Sequence, residues 1–154
     1  MSFDTRAPRI RSGCSLSGGR WFSYYDGQTT RGSGTDFDVD HMVPLTEAWD
    51  FGARRWTAGT REQFTNDLAD RPGLVAVSAS SNRSKSDSDP AEWMPRQRAR
   101  SRYVRHWVAV KTRWRLTVDR TEKRTLISTA RGCRNVFVTV RTGGLFRRLT
   151  SGAI

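Results

Sequence analysis

The chain has 154 residues, a net charge of +12 and 36% hydrophobic residues. That length suits one domain, 1–154, able to bury a core, and no stretch approaches the roughly 20 apolar residues that would span a bilayer. The excess positive charge favours a polyanionic partner and excludes nothing else about the fold.

The charge is segregated. Residues 35–93 carry six basic and eleven acidic groups, whereas residues 94–134 carry thirteen basic and two acidic groups. An acidic segment that collects a cation, framed by a basic one that collects phosphate, fits this layout. Residues from Met1 to Arg6 contain no apolar signal-peptide run, so a cytoplasmic location is expected, with a secreted mature form as the alternative.

In chain order, residues 1–19 show no periodicity and read as an irregular arm. The run from Arg20 to Tyr25 is strand-like, Asp26-Gly27 is a hairpin turn signal, and Gln28 to Arg31 would be the partner strand. Its aromatic residues suit either the core or stacking on bases. After the break at Gly32-Ser33-Gly34, the run from Asp36 to Val43 alternates apolar and polar residues and stops at Pro44. It brings an acidic residue and a histidine side by side to the strand's end. Leu45 to Ala53 predicts a short helix. Thr60 would cap a second helix with Phe64 and Leu68 inward, ended by Pro72-Gly73. Leu74 to Val77 is a short β-branched strand. The polar run after it places Asn82 at or just before the start of a short helix, and a new helix start is expected at Asp89 to Trp93.

Residues 97–116 give the strongest helix. Tyr103, Trp107, Val110 and Trp114 form one apolar face, widened by Val104 and Val108, while Arg98, Arg102, Arg105 and Arg113 point elsewhere. Arg98, Arg102 and Arg105 are the expected contacts to backbone phosphates. A further helix is expected over 119–130, with Thr121 to Arg124 solvated and Leu126 and Ile127 inward. A C-terminal strand is expected over 135–141.

Asp40 alone reads as a turn carboxylate, His41 as a strand-end residue and Asn82 as a helix cap. Their combination reads differently. Asp38-Val39-Asp40-His41-Met42-Val43-Pro44, taken with Asn82-Arg83-Ser84-Lys85-Ser86-Asp87, resembles the core of an HNH nuclease, the ββα-metal or His-Me finger motif. Flanking agreement at Trp21, Tyr25, Trp49, Trp56, Phe64, Trp93, Tyr103, Trp107 and Trp114 is similar to small bacterial HNH endonucleases. These are related to the nuclease domain of GmrSD-type restriction enzymes, and the likeness runs from Cys14 to Cys133.

The resemblance implies an α+β domain with a ββα-metal core at about 35–93, a basic helical part at about 94–134, added helices and a C-terminal strand. It implies a metal-dependent DNA endonuclease of low sequence specificity, acting as a monomer and leaving 5′-phosphate and 3′-hydroxyl ends. His41 would be the general base. Asp40 and Asn82 would hold one Mg2+, or Mn2+, as hard oxygen ligands. Lys85, Asp87 and Arg83 would support them or touch phosphate, and Asp38 would be structural. RNA remains open as a substrate. Two alternatives remain: a non-catalytic nucleic-acid-binding protein on this fold, and a nuclease effector or phage-type enzyme whose specificity comes from a partner.

The relatives also carry more cysteines, which leaves Cys14 and Cys133 as either a remaining bridge or two buried thiols. Many HNH motifs place an Asn or His at the start of the second strand to orient the general base. Gly73 stands there in this chain, so another group must hold His41, such as a backbone carbonyl. Asn66 qualifies only if its helix lies close.

Overall fold

The computed structural model describes residues 9–10, 16–133 and 140. The expected strand over 135–141, residue 140 apart, and Cys14 therefore lie outside the described residues, and Cys133 Sγ donates to the Thr129 carbonyl.

Three two-stranded antiparallel sheets and five α-helices make up a mixed α+β fold among these residues. β1 (Arg9–Ile10) pairs with β2 (Leu16–Ser17), so the expected irregular arm contains a short ladder. β3 (Arg20–Phe22) and β4 (Thr29–Arg31) form the expected hairpin. Its turn needs Gly27, which sits at φ +82° with the Arg96 guanidinium lying where a side chain would project. β5 (Phe37–His41) pairs with β6 (Leu74–Ser78), with Phe37 opposite Ser78 and His41 opposite Leu74. Between them lie α1 (Leu45–Asp50) and α2 (Ala58–Thr65).

α3 (Ala79–Lys85) follows β6 directly and packs on both strands. Its N-cap is Ser78, whose hydroxyl accepts from the Ser81 amide. Asn82 is therefore a mid-helix residue and not a cap. α4 (Arg100–Trp114) and α5 (Arg120–Arg131) complete the fold. α5 starts at Asp119, whose carboxylate accepts from the Thr121 and Glu122 amides.

One hydrophobic cluster joins the hairpin, the motif strands and α4: Tyr24, Tyr25, Met42, Val77, Tyr103, Trp107 and Trp114 all belong to it. Several expectations change. Leu68 is 83% exposed, because α2 is capped by Thr57 and ends at Thr65, before Leu68 can turn inward. Residues 89–93 form a turn and not a helix, since the Asp89 carboxylate captures the Ala91 and Glu92 amides. Val108 and Ile127 are exposed, while Ala109 is buried. Glu122 is buried instead of solvated, and Arg113 is buried instead of pointing outward.

Two ionic clusters tie the helices to the rest. Lys111 donates to Glu47 at 2.5 Å and to Glu122 at 2.8 Å, and Trp107 Nε1 donates to Glu122. Arg113 grips Asp67 with two bonds, of 2.6 and 3.1 Å, and Trp114 Nε1 adds a third.

Candidate active site

In a strand, residues two apart share a face. Asp38 and Asp40 therefore lie on one face of β5, and α3 covers it. One turn of α3 separates Asn82 from Lys85, and the two match the two carboxylates in order. Asn82 Nδ2 donates to Asp38 Oδ2 at 3.1 Å, and Lys85 Nζ donates to Asp40 Oδ1 at 2.8 Å. Lys85 also donates to the His41 carbonyl at 2.8 Å. The second oxygen of Asp40 accepts from the Tyr25 hydroxyl at 2.6 Å.

The inner rung is closed. Lys85 is 0% and Asp40 6% exposed. Burial pushes the Lys85 pKa below the ordinary lysine range, and Asp40 opposes that shift. Burial likewise raises the Tyr25 phenol, with the nearby Tyr24 and Asp40 adding to it, so Tyr25 stays a proton donor. The outer rung, Asp38 with Asn82, is half-buried.

His41 faces the other way. Its Nε2 lies 3.0 Å from the Thr65 carbonyl, and its ring stacks with Phe64 at 6.4 Å between centroids. A carbonyl only accepts, so Nε2 carries the proton in the neutral ring and Nδ1 keeps its lone pair. A backbone carbonyl thus does the holding that Gly73 cannot. α2 does lie close, but the Asn66 side chain turns back to the Glu62 carbonyl. Gly73 contributes its own carbonyl, which accepts from the Met42 amide at 2.9 Å and closes the strand pair just past His41.

The hairpin is locked to the helix by Asp26, which accepts from the Ser78 and Ser81 hydroxyls and the Gln28 amide. Burial would raise the Asp26 pKa, but these bonds outweigh it and lower it.

The structure brings Asp38, Asp40, Asn82 and Lys85 together on one face and sets the His41 ring on the other. Arg83 and Asp87 are exposed, Arg83 on α3 and Asp87 just past it. Glu47 is committed to Lys111. Arg98 and Arg105 are exposed, whereas Arg102 is half-buried with its guanidinium 4.4 Å above the Tyr24 ring. His106 packs edge-on against Tyr24, and burial, with Arg102 and Arg105 nearby, brings its pKa down to about 4. Sequence reasoning gave no role to Tyr25, Thr65 or the Arg113–Asp67 clamp. The absent side chain at Gly73 was the one signal that pointed to a carbonyl.

The module is thus an antiparallel strand pair followed by a helix, with Asp40-His41 on the first strand and Asn82 on the helix. The match to known families is specific. Residues 6–129 match the C-terminal domain of GmrSD restriction endonucleases, and the chain belongs to that family. It is also 40% identical over 126 residues to an "Uncharacterized secreted protein" of Arthroderma benhamiae, a match covering 81% of this chain. The chain spans 61% of that relative's length. No solved structure matches it significantly.

Proposed function

We propose that the protein is a metal-dependent endonuclease that hydrolyses phosphodiester bonds in DNA, with His41 as general base. The observation that carries this reading is the His41 ring, pinned through Nε2 with Nδ1 left to accept a proton from water. The products would be 5′-phosphate and 3′-hydroxyl ends.

The donor set between β5 and α3 suits a hard divalent ion such as Mg2+ or Mn2+: the carboxylates of Asp38 and Asp40 and the amide oxygen of Asn82. Among the described residues no three His, Cys, Asp or Glu side chains cluster as a metal site, so the amide is needed. Asn82 would hold the ion with a carboxylate of β5. Asp40 serves only if Lys85 gives ground, since Lys85 and Tyr25 already engage both its oxygens. That ion and the His41 ring lie on opposite faces of β5, so they would serve one phosphate only around the strand's end at His41, where the ion would offset charge on the phosphate and the leaving oxygen. The exposed Arg98 and Arg105 would hold backbone phosphates without reading bases, in keeping with low sequence specificity. The name of the fungal relative favours a secreted protein over a cytoplasmic one. No helix among the described residues is long and apolar enough to cross a membrane.

The engagement of both Asp40 oxygens by Lys85 and Tyr25 favours a second reading, a nucleic-acid-binding protein that keeps the fold without the chemistry. Incubation with circular plasmid decides between them. Nicking that stops in excess chelator, returns with magnesium, and weakens in Asn82→Ala is the expected result. Binding without any nicking leaves the second reading standing.

A further inference from the structure

A cavity of about 300 Å³ opens between β3, β6 and the start of α4. That is near the lower limit of small-molecule pockets, about 300–1,000 Å³. It has the room for one flat ring system and not for an extended chain.

Four aromatic side chains line it: Trp21, Phe22, Tyr24 and Phe37. Three arginines, Arg20, Arg71 and Arg102, stand in its wall. The two carboxylates there, Asp67 and Asp70, face Arg113 at 2.6 and 3.9 Å, so the lining is left with a positive balance.

The strand edge adds polar groups. Met42 donates to the Gly73 carbonyl and Ala79 donates to the Asp36 carbonyl, which sets the hydrogen-bonded rungs of the β5–β6 ladder. Alternation along an antiparallel pair then turns the N–H and C=O of Leu74 and Ala76 away from β5, toward the outer edge. β3 lies beside that edge but belongs to another sheet, and Leu74 and Ala76 line the cavity. Leu74 sits directly opposite His41, so the cavity lies on the His41 side of the strand pair, the face away from Asp38, Asp40 and Asn82.

We propose that this cavity takes one unstacked nucleobase of the strand bound at His41. The ring lies among the aromatic side chains, its polar edge meets the backbone of Leu74 and Ala76, and its phosphate lies toward Arg71 and Arg102. This rests on the nuclease reading and narrows it. A base held in a duplex stack cannot enter, so the preferred substrate is single-stranded or locally opened nucleic acid.

The test uses the full chain carrying His41→Ala and two labelled eight-nucleotide oligomers, oligo-dT and its abasic counterpart, in anisotropy titrations. Oligo-dT should bind about 5- to 150-fold tighter, the range that losing one base–aromatic stack commands. Phe22, 38% exposed, can be truncated without emptying the core. Phe22→Ala should therefore remove most of the preference while leaving abasic binding unchanged. Arg71→Ala should weaken both oligomers alike. Equal binding of the two oligomers, a full preference surviving Phe22→Ala, or no binding of either overturns the proposal. Plasmid nicking by the unaltered protein reports separately on the nuclease reading, so a base preference without nicking removes the chemistry and keeps the pocket.

Discussion

Lys85 and Lys111 are both buried and both hold carboxylates, yet their surroundings differ. Lys111 sits between Glu47 and Glu122, with the Thr117 carbonyl at 3.0 Å as a third acceptor, deep under α4 and α5. Lys85 holds one carboxylate, and the next rung outward is the half-buried Asp38–Asn82 pair. The first cluster joins helices to one another. The second sits one rung below a set of oxygens that solvent can reach. The same chemistry serves packing in one place and borders a candidate site in the other.

The largest expected effect lies on the site side. His41→Ala should lower plasmid nicking on the order of 100- to 10,000-fold while DNA binding persists. A variant that keeps most of its rate would show that another group is the base.

Next comes the packing side. Lys111→Met should cost about 3–5 kcal/mol of stability in denaturant unfolding, because two buried carboxylates lose their cation. Lys85→Met should lose less in the same assay, since Asp40 keeps the Tyr25 hydroxyl. Equal losses would erase the distinction between the clusters.

Titration sharpens the contrast. Burial raises the Glu47 pKa to about 7, against the pull of Lys111. The folded state then holds a proton that the unfolded chain has released, so this group's contribution falls as pH rises from about 4.5 to about 7. His106 acts in the opposite sense. Its folded pKa of about 4 means that its contribution is lost as pH falls from about 6.5 toward 4. Melting temperatures at pH 5 and pH 7 should separate the two. Glu47→Gln should leave the pH 7 form relatively more stable than in the parent, and His106→Gln relatively less.

The smallest effect concerns the grip on phosphate. Arg98→Ala with Arg105→Ala should weaken duplex binding alike on all sequences. The log–log salt slope should drop by about 0.9 for each lost contact. Fluorescence titrations at several salt concentrations measure this, and an unchanged slope would move the contact surface elsewhere.

Much of this was legible in the sequence. Alternation and Pro44 marked β5, β-branching marked β6, and the spacing of Tyr103, Trp107, Val110 and Trp114 marked the buried face of α4. Gly73 called for another group to hold His41, a backbone carbonyl or Asn66, and the Thr65 carbonyl is the one in place. The errors have a common cause. Ser78 and Asp89 captured backbone amides and so set element ends that periodicity could not reveal. Glu122 and Arg113 looked solvated because a charge is buried only when its partner arrives from far along the chain: Lys111 on another helix, or Asp67 beyond α2. Asp40 and Asn82 were read as ligands of one ion, and the sequence did not reveal that Asp40 also accepts from Lys85 and Asn82 donates to Asp38.

The Arg113–Asp67 clamp bears on transplanting the module. Residues 66–73 lead from the Thr65 carbonyl that holds His41 to the Gly73 carbonyl that closes β5 on β6, and the clamp to α4 is what fastens this connection. A cassette of residues 35–93 grafted onto another scaffold would carry every acidic and amide oxygen of the site. It would leave behind Arg113, Trp114 and the hairpin's Tyr25. His41 would keep the Thr65 carbonyl but lose the clamp that fastens the connection behind it, so a transplanted module needs the long helix and the first hairpin as well.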